Sequence, residues 1–385
     1  MSAATLVLLY WGSILLIYLS QIYYPEHKQL EDRHTSRRNF LWGKPDVFLF
    51  LVIAWMTCFS FLRTSYNDTG AYIQLFSEAQ SVAEGIANGT FTDWTGNPWS
   101  LLYRSYIHEL TDNYHIYFFF PALMCSFAVV RLIKRYSVSP AFSLLIFFSI
   151  GTYILYVAAL KQCMAMFFLL VALPYAIDKK YIRFYLLVVV AVLFHTHAFM
   201  FAIVPLLLEK PWGKVTWILL ALTIFAMATY NSTLGAFMEY AQSLGALVAE
   251  NEVFDGHQVN ILRVLVYSVP AILALVFRRR LFHNSTRTEN LFVNMSIVSA
   301  FILAIGLVQG ANLYARMAGY FEIATAIALP WMVKKLFTRQ SAQLVTVLAG
   351  ILYFTYFIYE FYISKDFGAT YSAISLWEFV VSLFG

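Results

Sequence analysis

Two long apolar stretches, Phe142–Ile177 and Phe184–Leu208, limit what this chain can become. Crossing a bilayer as a helix takes roughly 17–25 apolar residues, so each stretch suits a pair of spans. Hydrocarbon offers the backbone no water, so each segment must satisfy its own N–H and C=O groups, as an α-helix does. Charge is correspondingly scarce: 12% of the 385 residues are charged, against about a quarter in soluble domains. The expected class is all-α, a polytopic transmembrane helical bundle forming one integral-membrane domain over residues 1–385.

Hydropathy predicts about twelve spans, at 3–22, 46–63, 114–131, 141–158, 162–177, 184–195, 196–209, 215–230, 261–277, 291–309, 313–333 and 342–363. The opening MSAATLVLLYWGSILLIYLS has neither a basic leader nor a cleavage site and reads as a retained first span. Cys58, Cys125 and Cys163 all lie in apolar stretches, where they read as small packing residues rather than disulfide or metal ligands.

Orientation follows the lysines and arginines. Twenty of the 26 fall in one alternating set of connections. Within it are Lys28 to Lys44, the Arg131–Lys134–Arg135 group, Lys179–Arg183, Lys210 and Lys214, Arg278–Arg287, and Lys334–Arg339. That set is cytoplasmic, which puts both termini outside and assigns the net charge of +5 to topology rather than to nucleic acid. Six cations remain: Arg63, Arg104, Lys161, Arg263, Arg316 and Lys365. A single one could simply snorkel to the headgroups. Several on one face point to an anionic ligand at the outer interface.

Two external segments are long, 67–112 and 231–260, and both are acidic and aromatic. The first has six acids and Arg104, the second four acids without Lys or Arg. Aromatic faces and carboxylates commonly meet sugar hydroxyls. Plain connecting loops would also fit.

Four clusters carry possible chemistry. In FLRTSYNDTGAYIQLF, Arg63 ends a span and Asp68 follows five residues later. The guanidinium suits a phosphate through its planar fork. Asp68 would position a hydroxyl or Arg63 itself, or merely form a turn. Lys161 and Gln162 form a polar hinge between apolar runs. His195 and His197 sit between two short spans, where an imidazole can accept a hydroxyl proton; their spacing of two does not share a helical face. Arg316 enters the eleventh span between Tyr314 and Tyr320, with Glu322 about 9 Å deeper. An acid there is a functional candidate, or a neutraliser of an arginine elsewhere in the bundle. There is no GxxxxGK[ST] loop, no HExxH and no DxD motif, so the sequence implies no cofactor, nucleotide or metal.

Taken in order, these clusters resemble the EpsG branch of the Wzy-like polysaccharide polymerases. The match rests on Arg63, Asp68, Thr69 and Tyr72 as R-x4-DT-x2-Y, on Ala83-Glu84-Gly85, and on the basic-Gln pair Lys161-Gln162. It continues with Phe194-His195 and with Arg316 near Tyr320, covering about residues 40–335. Lys161 stands where the family would lead us to expect arginine, and His197 where a small residue is expected.

The resemblance implies a GT-C-like fold in the bacterial cytoplasmic membrane, with a site facing the exterior. It implies a glycosyltransferase that joins oligosaccharide repeats carried on polyprenyl pyrophosphate, usually undecaprenyl. Membrane lipid and a flippase or chain-length regulator of the same pathway would be its partners. On that reading Arg63, Arg316 and Lys161, with Arg263 a weaker fourth, hold the pyrophosphate. His195 is the base or positions the acceptor. Asp68, Tyr72, Glu84, Gln162, His197, Tyr314 and Tyr320 complete the substrate site. An O-antigen ligase, a lipid-linked oligosaccharide flippase or exporter, and a membrane acyltransferase using His195 are the alternatives.

Overall fold

The computed structural model describes residues 3–25, 46–93, 96–230, 257–364 and 370–384. Helices dominate, as an apolar chain low in turn residues requires. Among the described residues five helical runs are long and apolar enough to cross a bilayer: Thr5–Tyr23, Tyr114–Tyr136, Leu160–Ile177, Arg287–Ile305 and Arg339–Ser364. Pro140–Ser149 and Thr152–Ala158 make a sixth if taken together, bent by 57° at their junction. Gly151 allows the bend with φ +82°, and a Cβ there would lie 2.6 Å from Phe361. The Ile150 carbonyl beside it accepts the Tyr267 hydroxyl.

Each of the twelve expected spans falls on a helix or a broken pair of helices, but many are shorter than the expectation required. Val47–Phe61, Tyr181–Phe194, Thr196–Leu208, Lys214–Ala228 and Ile261–Val276 are apolar and have 10–17 residues. At 1.5 Å per residue, 14 residues reach only about 21 Å of a ~30 Å core. Thr196–Leu208 offsets this by adopting 3-10 geometry over 13 residues, whose larger rise extends it to about 26 Å. Its last carbonyls are met from another helix: Asn294 Nδ2 donates to Leu207 O at 2.8 Å and to Glu209 O at 2.7 Å. The expected eleventh span is broken at Tyr320–Glu322, between helices Ala311–Gly319 and Ile323–Leu336.

Lys134 is more than the topological charge that its position suggested. It is buried, 3.4 Å from Asp46 Oδ2, and donates to Ser20 Oγ at 2.6 Å and Ser20 O at 2.8 Å. Asp46 also caps helix Val47–Phe61 by accepting from Leu49 N at 3.0 Å. One buried ion pair thus ties three helices together at the end opposite Arg63.

Outside the long helices, the segment from Asn67 onward folds into Thr69–Ser77, Val82–Ala87 and Pro98–Leu110. Residues 231–256 of the second segment expected to be external lie outside the described residues. The strand pair among the described residues joins distant parts of the chain, Arg63–Ser65 running antiparallel to Ser372–Ala373. The C-terminal piece is fastened further by Tyr371, which stacks on Phe59 at 4.6 Å and donates to its carbonyl at 2.6 Å.

Candidate functional site

Helix ends, not helix faces, build the site. Helix Val47–Phe61 stops just before Arg63; Leu160–Ile177 begins just before Lys161; Tyr181–Phe194 stops at His195; Arg316 lies in the last turn of Ala311–Gly319. All four ends meet.

Arg63 is 1% exposed. Its Nε donates to Thr69 Oγ1 at 3.0 Å, its Nη1 to the Ser60 carbonyl, and its guanidinium lies 4.2 Å over the Phe118 ring. This buried arrangement differs from an open fork presented to a phosphate. The aromatic face and the turn take up most of the guanidinium, leaving Nη2 as a buried donor with no hydrogen-bond partner. Asp68 does not orient Arg63 either: its Oδ2 accepts from Arg316 Nη2 at 2.9 Å. Arg63 thus shapes the turn through Thr69, and the turn holds Arg316 through Asp68.

Gln162 continues the chain of contacts, its Nε2 donating to the Arg316 carbonyl at 2.8 Å. Its Oε1 is buried without a hydrogen-bond partner. Tyr72 lies with its hydroxyl against the Lys161 backbone, and burial, with Asp68 nearby, pushes that phenol up to about 12. His195 receives its contact from the break in the eleventh span, with Nδ1 2.6 Å from the Tyr320 hydroxyl. The His197 ring is 5.1 Å from that of His195. Lys161 and Arg316 lie near the same imidazole.

Three expected site residues are placed elsewhere. Glu84 is exposed and closes a capping box with Ser81; the Ser81 amide and hydroxyl hold its carboxylate below the usual range. Tyr314 packs on Tyr230, ring centres 6.2 Å apart. Arg263 belongs to a neighbouring ionic centre, 3.8 Å from Glu322 Oε1 and over the Tyr267 ring. Glu322 also accepts from Thr152 Oγ1 at 3.0 Å, so it does neutralise an arginine elsewhere in the bundle.

Sequence reasoning missed Asn97. Its Oδ1 accepts from Thr196 N at 2.8 Å and Thr196 Oγ1 at 3.1 Å, which pins the residue after His195 to the helix Pro98–Leu110. Asn before Pro signals a helix start; nothing local signals its distant partner. Beside this junction Trp99, Leu102, Tyr103, Tyr106 and Phe194 line an apolar groove of about 300 Å³. Among the described residues no group of three or more His, Cys, Asp or Glu side chains is placed to hold a metal ion.

These elements define a multi-pass, all-α membrane protein that gathers cations and two histidines at one end of its bundle. No curated protein and no solved structure matches the chain. A family model does, over residues 46–375, and the chain belongs to the EpsG family. With that membership goes a polysaccharide polymerase-like role.

Proposed function

We propose that the protein transfers a glycan chain from a polyprenyl-pyrophosphate donor to a lipid-linked repeat unit at the exterior face of the bacterial cytoplasmic membrane. The observation that carries this reading is the meeting of Arg63, Asp68, Lys161, His195, Arg316 and Tyr320 from separate helix ends. A pyrophosphate leaving group is already activated, so catalysis consists mainly of neutralising the charge that develops as it departs. Arg316 and Lys161 supply that charge directly. Arg63 supports them through the Asp68–Thr69 turn, with Nη2 as a further donor. The apolar groove suits the isoprenoid of the carrier, whose hydrocarbon its carbon-rich lining would cover.

The acceptor hydroxyl attacks the anomeric carbon. The new C–O bond forms as the bond to phosphate breaks, with inversion and with the electron pair leaving on the pyrophosphate. His195 meets either the acceptor hydroxyl or the departing oxygen, depending on which ring nitrogen carries its hydrogen.

Two features support both ends of the bundle's chain lying on the side of the cluster. Helix Ala3–Tyr23 ends at Asp46 and Lys134, opposite the cluster, so it begins at the cluster end. Strand Ser372–Ala373 pairs with the Arg63 strand itself.

Purified protein given only polyprenyl-pyrophosphate-linked repeats is expected to produce a ladder of longer glycans, unchanged by a chelator. Transfer solely to a different acceptor would indicate a ligase instead. Deleting residues 370–385 is expected to leave membrane insertion intact and to remove polymer. The Arg63 strand then loses its partner and Phe59 its stacked tyrosine. Full-length ladders from the truncated protein, at normal abundance, would contradict that role for the C-terminal piece.

A further inference from the structure

The last helix, Leu376–Ser382, turns two different sides to its surroundings. Phe379 and Ser382, three residues apart and so on one face, hold it to the bundle. Phe379 is buried, its ring T-shaped to Phe61 with centres 4.9 Å apart. Ser382 Oγ accepts from Asn113 Nδ2 at 2.9 Å. At 3.6 residues per turn the opposite face carries Trp377 and Val381, and Phe384 follows just beyond the last turn. All three are exposed, Trp377 by 74% and Phe384 by 87%.

Two observations say what covers this face. The first is its level. Phe61 is the last residue of helix Val47–Phe61, and Asn113 caps Tyr114–Tyr136, which is long and apolar enough to cross a bilayer. The last helix thus sits where two apolar helices leave the hydrocarbon, the depth at which tryptophan collects. The second is charge. From Tyr371 to Gly385 the one charged side chain is Glu378, which closes a capping box with Ser375. An apolar face of this kind, with no cation beside it, fits lipid rather than an anionic partner.

We infer that Leu376–Ser382 is an interfacial helix. It seats Trp377, Val381 and Phe384 in the leaflet on the cluster's side and holds the Arg63 turn at a fixed depth. The link to that turn is short. Ile374 N donates to Leu62 O at 3.0 Å, Ser372–Ala373 pairs with the Arg63 strand, and the Thr64 and Ser372 hydroxyls lie 2.6 Å apart. Burying one such apolar side chain favours insertion roughly 10–100-fold, whatever the charge of the lipid.

Nitroxide labels on the reconstituted full-length protein test this, placed through Trp377→Cys, Val381→Cys and, as the contrast, Glu378→Cys. Labels at 377 and 381 are expected to meet oxygen more often than a water-soluble nickel complex, in phosphatidylcholine and phosphatidylglycerol vesicles alike. The label at 378 is expected to show the reverse. Signal from the native cysteines is subtracted using the unaltered protein. Nickel preference at 377 and 381 in either lipid overturns the inference. Strong spin–spin broadening between copies also overturns it, because a second copy of the chain would then cover the face. Trp377→Glu combined with Val381→Glu is expected to expel the helix, read from a label placed by Phe384→Cys, and to lower polymer at least tenfold at normal abundance. Trp377→Leu is expected to keep both. Unchanged ladders from a protein whose helix is expelled overturn its hold on the Arg63 turn. The lipid contact does not depend on the polymerase reading. If the unaltered protein makes no polymer while its labels report lipid, that reading falls and the interfacial helix stands.

Discussion

Arg316→Ala is expected to abolish polymer, a loss on the order of 10²–10³-fold or about 3–4 kcal/mol in the barrier. The reason is twofold. Arg316 is the cation at the centre of the cluster, held by Asp68 at 2.9 Å and packed against Gln162 through its own carbonyl. On the proposed reaction, its removal takes away a positive charge facing the departing pyrophosphate, and it also releases the Asp68 turn that Arg63 buttresses. Arg316→Lys should not restore activity, because an ammonium cannot serve a carboxylate and a phosphate with the geometry of a planar fork. Asp68→Asn should be milder, since the arginine keeps its charge. The variants are compared by polymer ladders from a strain lacking the native gene, with protein abundance checked in the same membranes. Long-chain polymer from Arg316→Ala at normal abundance would remove Arg316 from the mechanism. Because the two side chains touch, the Asp68–Arg316 double variant should lose less than the sum of the singles.

The largest stability effect belongs to Glu322. It is fully buried, accepts from Thr152 at 3.0 Å and lies 3.8 Å from Arg263. Removing one partner of a buried pair leaves the other uncompensated and costs about 3–5 kcal/mol. Glu322→Ala is therefore expected to lower the melting temperature in detergent by several degrees. Replacing Arg263 as well should recover part of that loss. If Glu322→Ala alone melts with the unaltered protein, the pair contributes nothing to stability. Glu322→Gln, which can still accept from Thr152, should fall between the two.

The membrane class and the position of nearly every helix were legible in the chain, because burying twenty apolar residues in lipid is a local demand that each segment meets alone. The lengths were less legible. Hydropathy cannot distinguish an α-helix from the 3-10 helix Thr196–Leu208, since the two differ in hydrogen-bond register, not in composition. Nor could it show that Tyr320–Glu322 would interrupt an apolar run. The break is met by side chains from elsewhere: the His195 ring contacts the Tyr320 hydroxyl, and Thr152 and Arg263 meet Glu322.

The sequence alone determined which residues were exceptional. Arg63, Lys161, His195 and Arg316 stood out because a polar side chain at the end of an apolar segment is expensive unless something meets it. Only the tertiary structure decided what meets each one. Asp68 turned from its near neighbour Arg63 to Arg316, 248 positions away, and Lys134 became a buried partner of Asp46. Glu84 was claimed by its own helix cap. Pairing among charges is settled by which helix ends come together in space. That depends on the packing of all the helices at once and is encoded in no single stretch of the chain.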